Sequence, residues 1–164
     1  MKRFLCLVIC VMCLLVGCAP REEHLLARFR EGFVAECAGV CGGVSFTALF
    51  EAAPLTEAGL LPLTVTFYAP KALEGTVLMR RADGSVSLAL DGMEVEAGLL
   101  GLRRILDAFP ATGEISDVTV SPEGHTVVNG TDFSVCYLSN GTPLSVRCGA
   151  VQLQVVRWEA SPQS

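Results

Sequence analysis

"FSVCYLSNGTPLSVRC", residues 133 to 148, decides the fold. Phe133, Val135 and Tyr137 alternate with Ser134 and Cys136, the period of two that marks a strand with one face in a core. Beyond Asn140-Gly141 the alternation returns. A two-residue type I′ turn there would pair Tyr137 with Leu144, Val135 with Val146 and Phe133 with Cys148 on an apolar face. The same register sets Cys136 against Ser145 and Ser134 against Arg147 on a polar face. Cys136 and Cys148 then point to opposite sides of the sheet, which disfavours a disulfide between them.

The pattern extends in both directions. Downstream, Val151, Leu153 and Val155 alternate with Gln152 and Gln154 on the way to Trp158. Upstream, strands are expected from Glu114 to Val120 and from His125 to Asn129. Further back, Leu63, Val65 and Phe67 alternate with threonines, and Val86, Leu88 and Leu90 share one face of a strand that Asp83-Gly84 turns from "TVLMRR". Two helices complete the set. From Arg21 to Glu31, Leu25, Leu26 and Phe29 share a stripe, with Gly32 at the C-cap position. From Ala97 to Phe109, Leu99, Leu102, Ile105, Leu106 and Phe109 share another, and Pro110 ends it. No βαβ rhythm is present, so the chain reads as α+β, an antiparallel sheet packed on helices. One domain over residues 21 to 160 with a short tail, 161 to 164, is long enough to bury about two-thirds of its unfolded surface.

The N-terminus is different in kind. Lys2 and Arg3 precede an uncharged apolar run from Phe4 to Val16, the length of a signal-peptide core and shorter than a membrane span. Leu15, Val16, Gly17 and Cys18 then resemble the bacterial lipobox. That resemblance implies a signal peptide over residues 1 to 17, acylation of Cys18, and an anchor at 18 to 20. Two or more acyl chains, each contributing about 0.8 kcal/mol per buried CH₂, hold a domain stably at a membrane. The expected location is the extracytoplasmic face of a bacterial membrane, inner or outer, and Cys6, Cys10 and Cys13 fall in the removed segment.

Composition narrows the chemistry. The formal charge is −5, Lys71 is the single lysine after the leader, and no basic cluster could neutralise a phosphate backbone, so nucleic-acid binding is not expected. Cys37, Cys41, Cys136 and Cys148 lack paired C-x-x-C spacing, and a metal site would need them to converge with His24 or His125. No metal or cofactor is expected, and the four thiols read as free, small hydrophobes. Without G-x-S-x-G or a positioned base, no catalytic residue is assigned and the chain is not read as an enzyme. Asn129-Gly130-Thr131 and Asn140-Gly141-Thr142 match the glycosylation sequon, but Asn-Gly turn chemistry accounts for both.

Three stretches together resemble a known superfamily. "FYAPKALEG" (67 to 75), "LALDGM" (88 to 93) and "LSNGTPL" (138 to 144) are similar to the lipoprotein carriers, the Lol-type and mycobacterial lipid-transfer lipoproteins. Pro70, Leu73, Gly75, Gly92, Gly141 and Pro143 stand at the corresponding positions. The resemblance implies a half-barrel, a strongly curved antiparallel sheet of about ten strands closed on its concave face by helices. It also implies an apolar cavity for a lipid or acyl chain, whose candidate lining is Leu63, Val65, Phe67, Val86, Leu88, Leu90, Leu99, Leu102, Phe109, Phe133, Val135, Tyr137, Leu153 and Val155. The same alternation equally describes a core with no cavity, in which case the scaffold contacts a protein partner at the membrane without a ligand.

Overall fold

The computed structural model describes residues 22–90, 93–96 and 100–161. In chain order the elements are α1 (Glu22–Arg30), β1 (Phe33–Cys41), β2 (Val44–Ala52), β3 (Leu63–Ala69), β4 (Val77–Arg80), β5 (Val86–Leu90) and β6 (Met93–Glu96). There follow α2 (Leu100–Leu106), β7 (Ile115–Val120), β8 (Thr126–Gly130), β9 (Phe133–Tyr137), β10 (Pro143–Cys148) and β11 (Val151–Ala160).

All eleven strands form one antiparallel sheet in the order β6-β5-β4-β3-β2-β1-β11-β10-β9-β8-β7. Two hairpin-connected runs, β1 to β6 and β7 to β11, meet where the first strand pairs with the last. β6 and β7 are the two edges, and the chain passes from one to the other through α2. Among the described residues the sheet is therefore an open half-barrel with two helices, as the α+β reading expected.

The decisive hairpin keeps most of its expected register. Val135 faces Val146, Phe133 faces Cys148, Cys136 faces Ser145 and Ser134 faces Arg147. Its turn differs. The Gly141 N–H donates to Leu138 O at 2.8 Å and the Leu138 N–H donates to Thr142 O at 2.9 Å, so Ser139 and Asn140 are the central residues. Gly141, at φ +76°, takes the left-handed position of a bulge after them. The extra residue moves Pro143, rather than Leu144, opposite Tyr137 and onto the buried face. Asn140 stabilises this form by accepting the Thr142 N–H on Oδ1 at 2.9 Å.

α2 is shorter than the apolar spacing suggests. It ends at Leu106, and Asp107 and Ala108 donate to carbonyls three residues back, at Arg104 and Ile105. Pro110 disfavours helical geometry at Phe109, and Arg80 Nη2 takes the Leu106 carbonyl at 3.0 Å. Phe109 is buried all the same, at 4% exposure.

The "PKALEG" stretch is the reversal from β3 to β4. Pro70 O accepts the Leu73 N–H at 2.8 Å, Gly75 donates to Phe67 O at 3.0 Å, and Thr76 donates to Leu73 O at 2.9 Å. The spacing of Pro, Leu and Gly thus belongs to a compact turn.

Candidate functional site

The concave face is the first place to look for a ligand, and its floor is the predicted apolar set. Leu63, Val65, Phe67, Val135 and Tyr137 are buried at 0 to 1% exposure, and Leu153, Phe133 and Val155 at 3, 8 and 9%. Val86, Leu88 and Leu102 are half-buried against the same core. Leu90 is a correction. At 44% exposure it is the last residue of β5, outside the core, where it pairs with Met93 of the edge strand β6. Leu99, Gly92 and Cys18 lie outside the described residues.

The two helices fill the space above this floor. α1 inserts Leu25, Leu26 and Phe29, and α2 with the segment after it inserts Ile105, Leu106, Ala108 and Phe109, all at 5% exposure or less. The Phe29 ring lies 5.9 Å from Phe33, 5.5 Å from Phe109, 6.4 Å from Tyr137 and 5.5 Å from Trp158, the range in which ring pairs attract. Trp158 stacks on Phe33 at 4.4 Å. Its Nε1 is buried and has no hydrogen-bond partner among the described residues. Tyr137 satisfies its own hydroxyl by donating to Leu25 O at 3.1 Å, which pins α1 to β9. Burial raises the Tyr137 pKa above the usual phenol range.

Trp158 reaches this cluster through a bulge. Glu36 pairs with Arg157 and Cys37 with Val155, so Val156 is an extra residue in β11. Val156 is turned outward at 63% exposure, and Trp158 points into the core where strict alternation would have sent Arg157.

Where the helices leave the sheet, polar contacts hold them. Arg80, on β4, donates Nε to Leu61 O at 2.9 Å, Nη1 to Asp107 Oδ1 at 2.6 Å and Nη2 to Leu106 O. One guanidinium thus ties the β2–β3 loop to the C-terminus of α2. Arg30 Nε donates to Ala111 O at 2.7 Å and links α1 to the same segment. Around these contacts lies a cleft of about 450 Å³ with Leu61, Phe109, Ala111 and Phe133 at its base and Asp107 and Asp132 at its rim. Phe133 is seated between Gly113 and Gly130, either of which would collide with the ring if it carried a Cβ. The close approach, not a special backbone angle, requires glycine there.

A second depression, about 650 Å³, lies over the outer side of β10, β11, β1 and β2. Ser45, Thr47, Ser145, Arg147, Gln152 and Gln154 line it, and each alternates along its strand with a buried residue. Periodicity placed Ser145, Arg147, Gln152 and Gln154 opposite the apolar face and offered no signal for a groove.

Four cysteines, Cys37, Cys41, Cys136 and Cys148, lie among the described residues. All four are free. Burial pushes the Cys37 thiol up to about 12, and the Glu36 carboxylate adds to the shift. Cys136 and Cys148 are also raised by burial. No group of three or more histidine, cysteine or carboxylate side chains that could hold a metal occurs among the described residues.

No family model matches the sequence, and no curated protein matches it. Solved structures do. An uncharacterised conserved protein from Thermus thermophilus is similar over 87% of this chain and 88% of its own, with 15% identity and a TM-score of 0.50. MucB is similar over 89% of this chain and 60% of its own, with 13% identity and a TM-score of 0.50. A LolA superfamily protein from Nitrosomonas europaea is also among the matches, over 87% of this chain and 94% of its own, with 8% identity and a TM-score of 0.45. The chain shares its curved-sheet fold with MucB and the Thermus protein.

Proposed function

We propose that this domain is a non-enzymatic binding module, anchored through an acylated Cys18 at the extracytoplasmic face of a bacterial membrane, whose surface engages a protein partner. Both classes of binding scaffold, for lipid and for protein, fit the fold, and the packing of the concave face favours the second. Phe29, Phe33, Phe50 and Tyr137, at 0% exposure, and Leu26, at 2%, occupy the volume an acyl chain would need. Displacing them would expose several large side chains, each contributing about 1.5 to 3 kcal/mol through burial. The lipobox supports the anchor, and no helix among the described residues is long and apolar enough to cross a membrane.

A second reading, carriage of a lipid or acyl chain, is supported by the open seam. β6 and β7 do not pair, and the short α2 covers part of the concave face, held to β1 through Cys41 and to β4 through Arg80, so its displacement would give access to the apolar floor. Lipid analysis separates the two. The full chain, purified from the membrane in mild detergent, is extracted and its non-covalent lipids are quantified by mass spectrometry, with titration by a fluorescent fatty acid in parallel. No stoichiometric lipid and no saturable uptake are expected. Saturable binding at one site per chain would replace the first reading with the second.

A further inference from the structure

Cys18 and Glu22, the first residue of α1, are four positions apart. Four residues at full extension span about 14 Å. Given the acylation proposed above, on which this step rests, the first turn of α1 is held within that distance of the bilayer. The fold determines what lies beside it. His24 lines a cleft of about 510 Å³ together with Thr126, Leu138 and the turn at Ser139, Asn140 and Gly141. Thr126 pairs with Tyr137 on one side and with Val120 on the other. Tyr137 in turn bonds Leu25. Cross-strand neighbours stand about 5 Å apart, so the end of β7 is two such steps from the strand that holds α1.

Val120 closes β7, an edge strand, and is 71% exposed. The first turn of α1 carries Glu22 and Glu23, the turn after Val120 carries Glu123 and His125, and Arg28 of α1 and Glu31 just after it line the cleft, so carboxylates are in excess at this end. Charge therefore does not draw this end to an anionic surface, and its approach to lipid is set by the tether. We infer that this end of the half-barrel, made of the first turn of α1, Val120 and the β7–β8 turn, is seated on the lipid surface, with Val120 as its apolar contact. The β1–β2 turn faces elsewhere. β1 carries the chain roughly 27 Å from Phe33 to Cys41. Val44, 52% exposed beside that turn, provides the internal control.

Photocrosslinking of the acylated full chain in phosphatidylcholine vesicles tests this. Val120→benzoylphenylalanine and Val44→benzoylphenylalanine both replace exposed side chains and leave the core intact. With so short a tether, lipid adducts at position 120 are expected to exceed those at position 44 by about five-fold or more. Intact mass is read on the same samples. An acylated chain that crosslinks equally at both positions, or more at 44, overturns the orientation and leaves the anchor standing. A chain without acyl groups on Cys18 overturns both.

Discussion

α1 presents three large side chains to the sheet, Leu25, Leu26 and Phe29, and its Phe29 ring meets four other aromatic rings. α2 buries Ile105 and Leu106 but leaves Leu102 half-exposed, and its C-terminus is tied down through a single guanidinium. Both helices close the same concave face. One is held by non-directional burial spread over a wide contact, the other in good part by directional contacts to Arg80. Burial is lost only by withdrawing the whole helix, whereas a hydrogen-bonded tie can be lost at one point. The difference makes α1 part of the structural core and α2 the element most readily displaced.

Substitutions should separate the two. Phe29→Ala leaves a cavity beneath α1 and is expected to cost about 3 to 5 kcal/mol in global stability, measured by denaturant unfolding. A loss below about 1 kcal/mol would mean that α1 is not seated as described. Arg80→Met retains the aliphatic stem and removes all three hydrogen bonds. It is expected to cost about 1 to 3 kcal/mol and to speed amide exchange in residues 100 to 109 before it affects β1 or β11. Asp107→Asn should cost less than about 1 kcal/mol, since the Asp107 side chain is 62% exposed and its ion pair is open to solvent. Uniform exchange across the sheet after Arg80→Met would show that α2 has no independent latch.

The smallest expected effect is graded with pH. Cys37 ionises at about 12 in the fold, against 9.0 for an unperturbed thiol, and Tyr137 is likewise raised. Between those limits the unfolded chain loses a proton that the folded chain keeps. Stability is therefore complete below pH 9 and falls as pH rises beyond it, by at most about 1.4 kcal/mol per pH unit for each group. Thermal melts from pH 8 to 11 should show this decline, and Cys37→Ala should remove part of it. A flat profile would mean that neither group is buried beneath the helices.

The strands were readable because a half-buried sheet writes its period into every second residue. Val135 against Val146 and Phe133 against Cys148 follow from that alternation alone. Errors arose where one residue was inserted. The bulge at Gly141 brought Pro143 inward in place of Leu144, and the bulge at Val156 sent Trp158 rather than Arg157 into the core. A bulge changes the phase of a strand without altering its composition, so periodicity does not announce it. The C-terminus of α2 was equally opaque, since Arg80 lies 26 residues from the carbonyl it caps.

Local sequence determined the chain's class, its hairpins and the two amphipathic helices, since each depends on residues a few positions apart. Tertiary structure decided the pairing of β1 with β11, the arginine tie on α2, and above all whether the concave face is hollow or full. That last question turns on the volume filled by side chains distant in sequence, Phe29, Phe109 and Tyr137 among them, and volume has no signature in an alternating pattern.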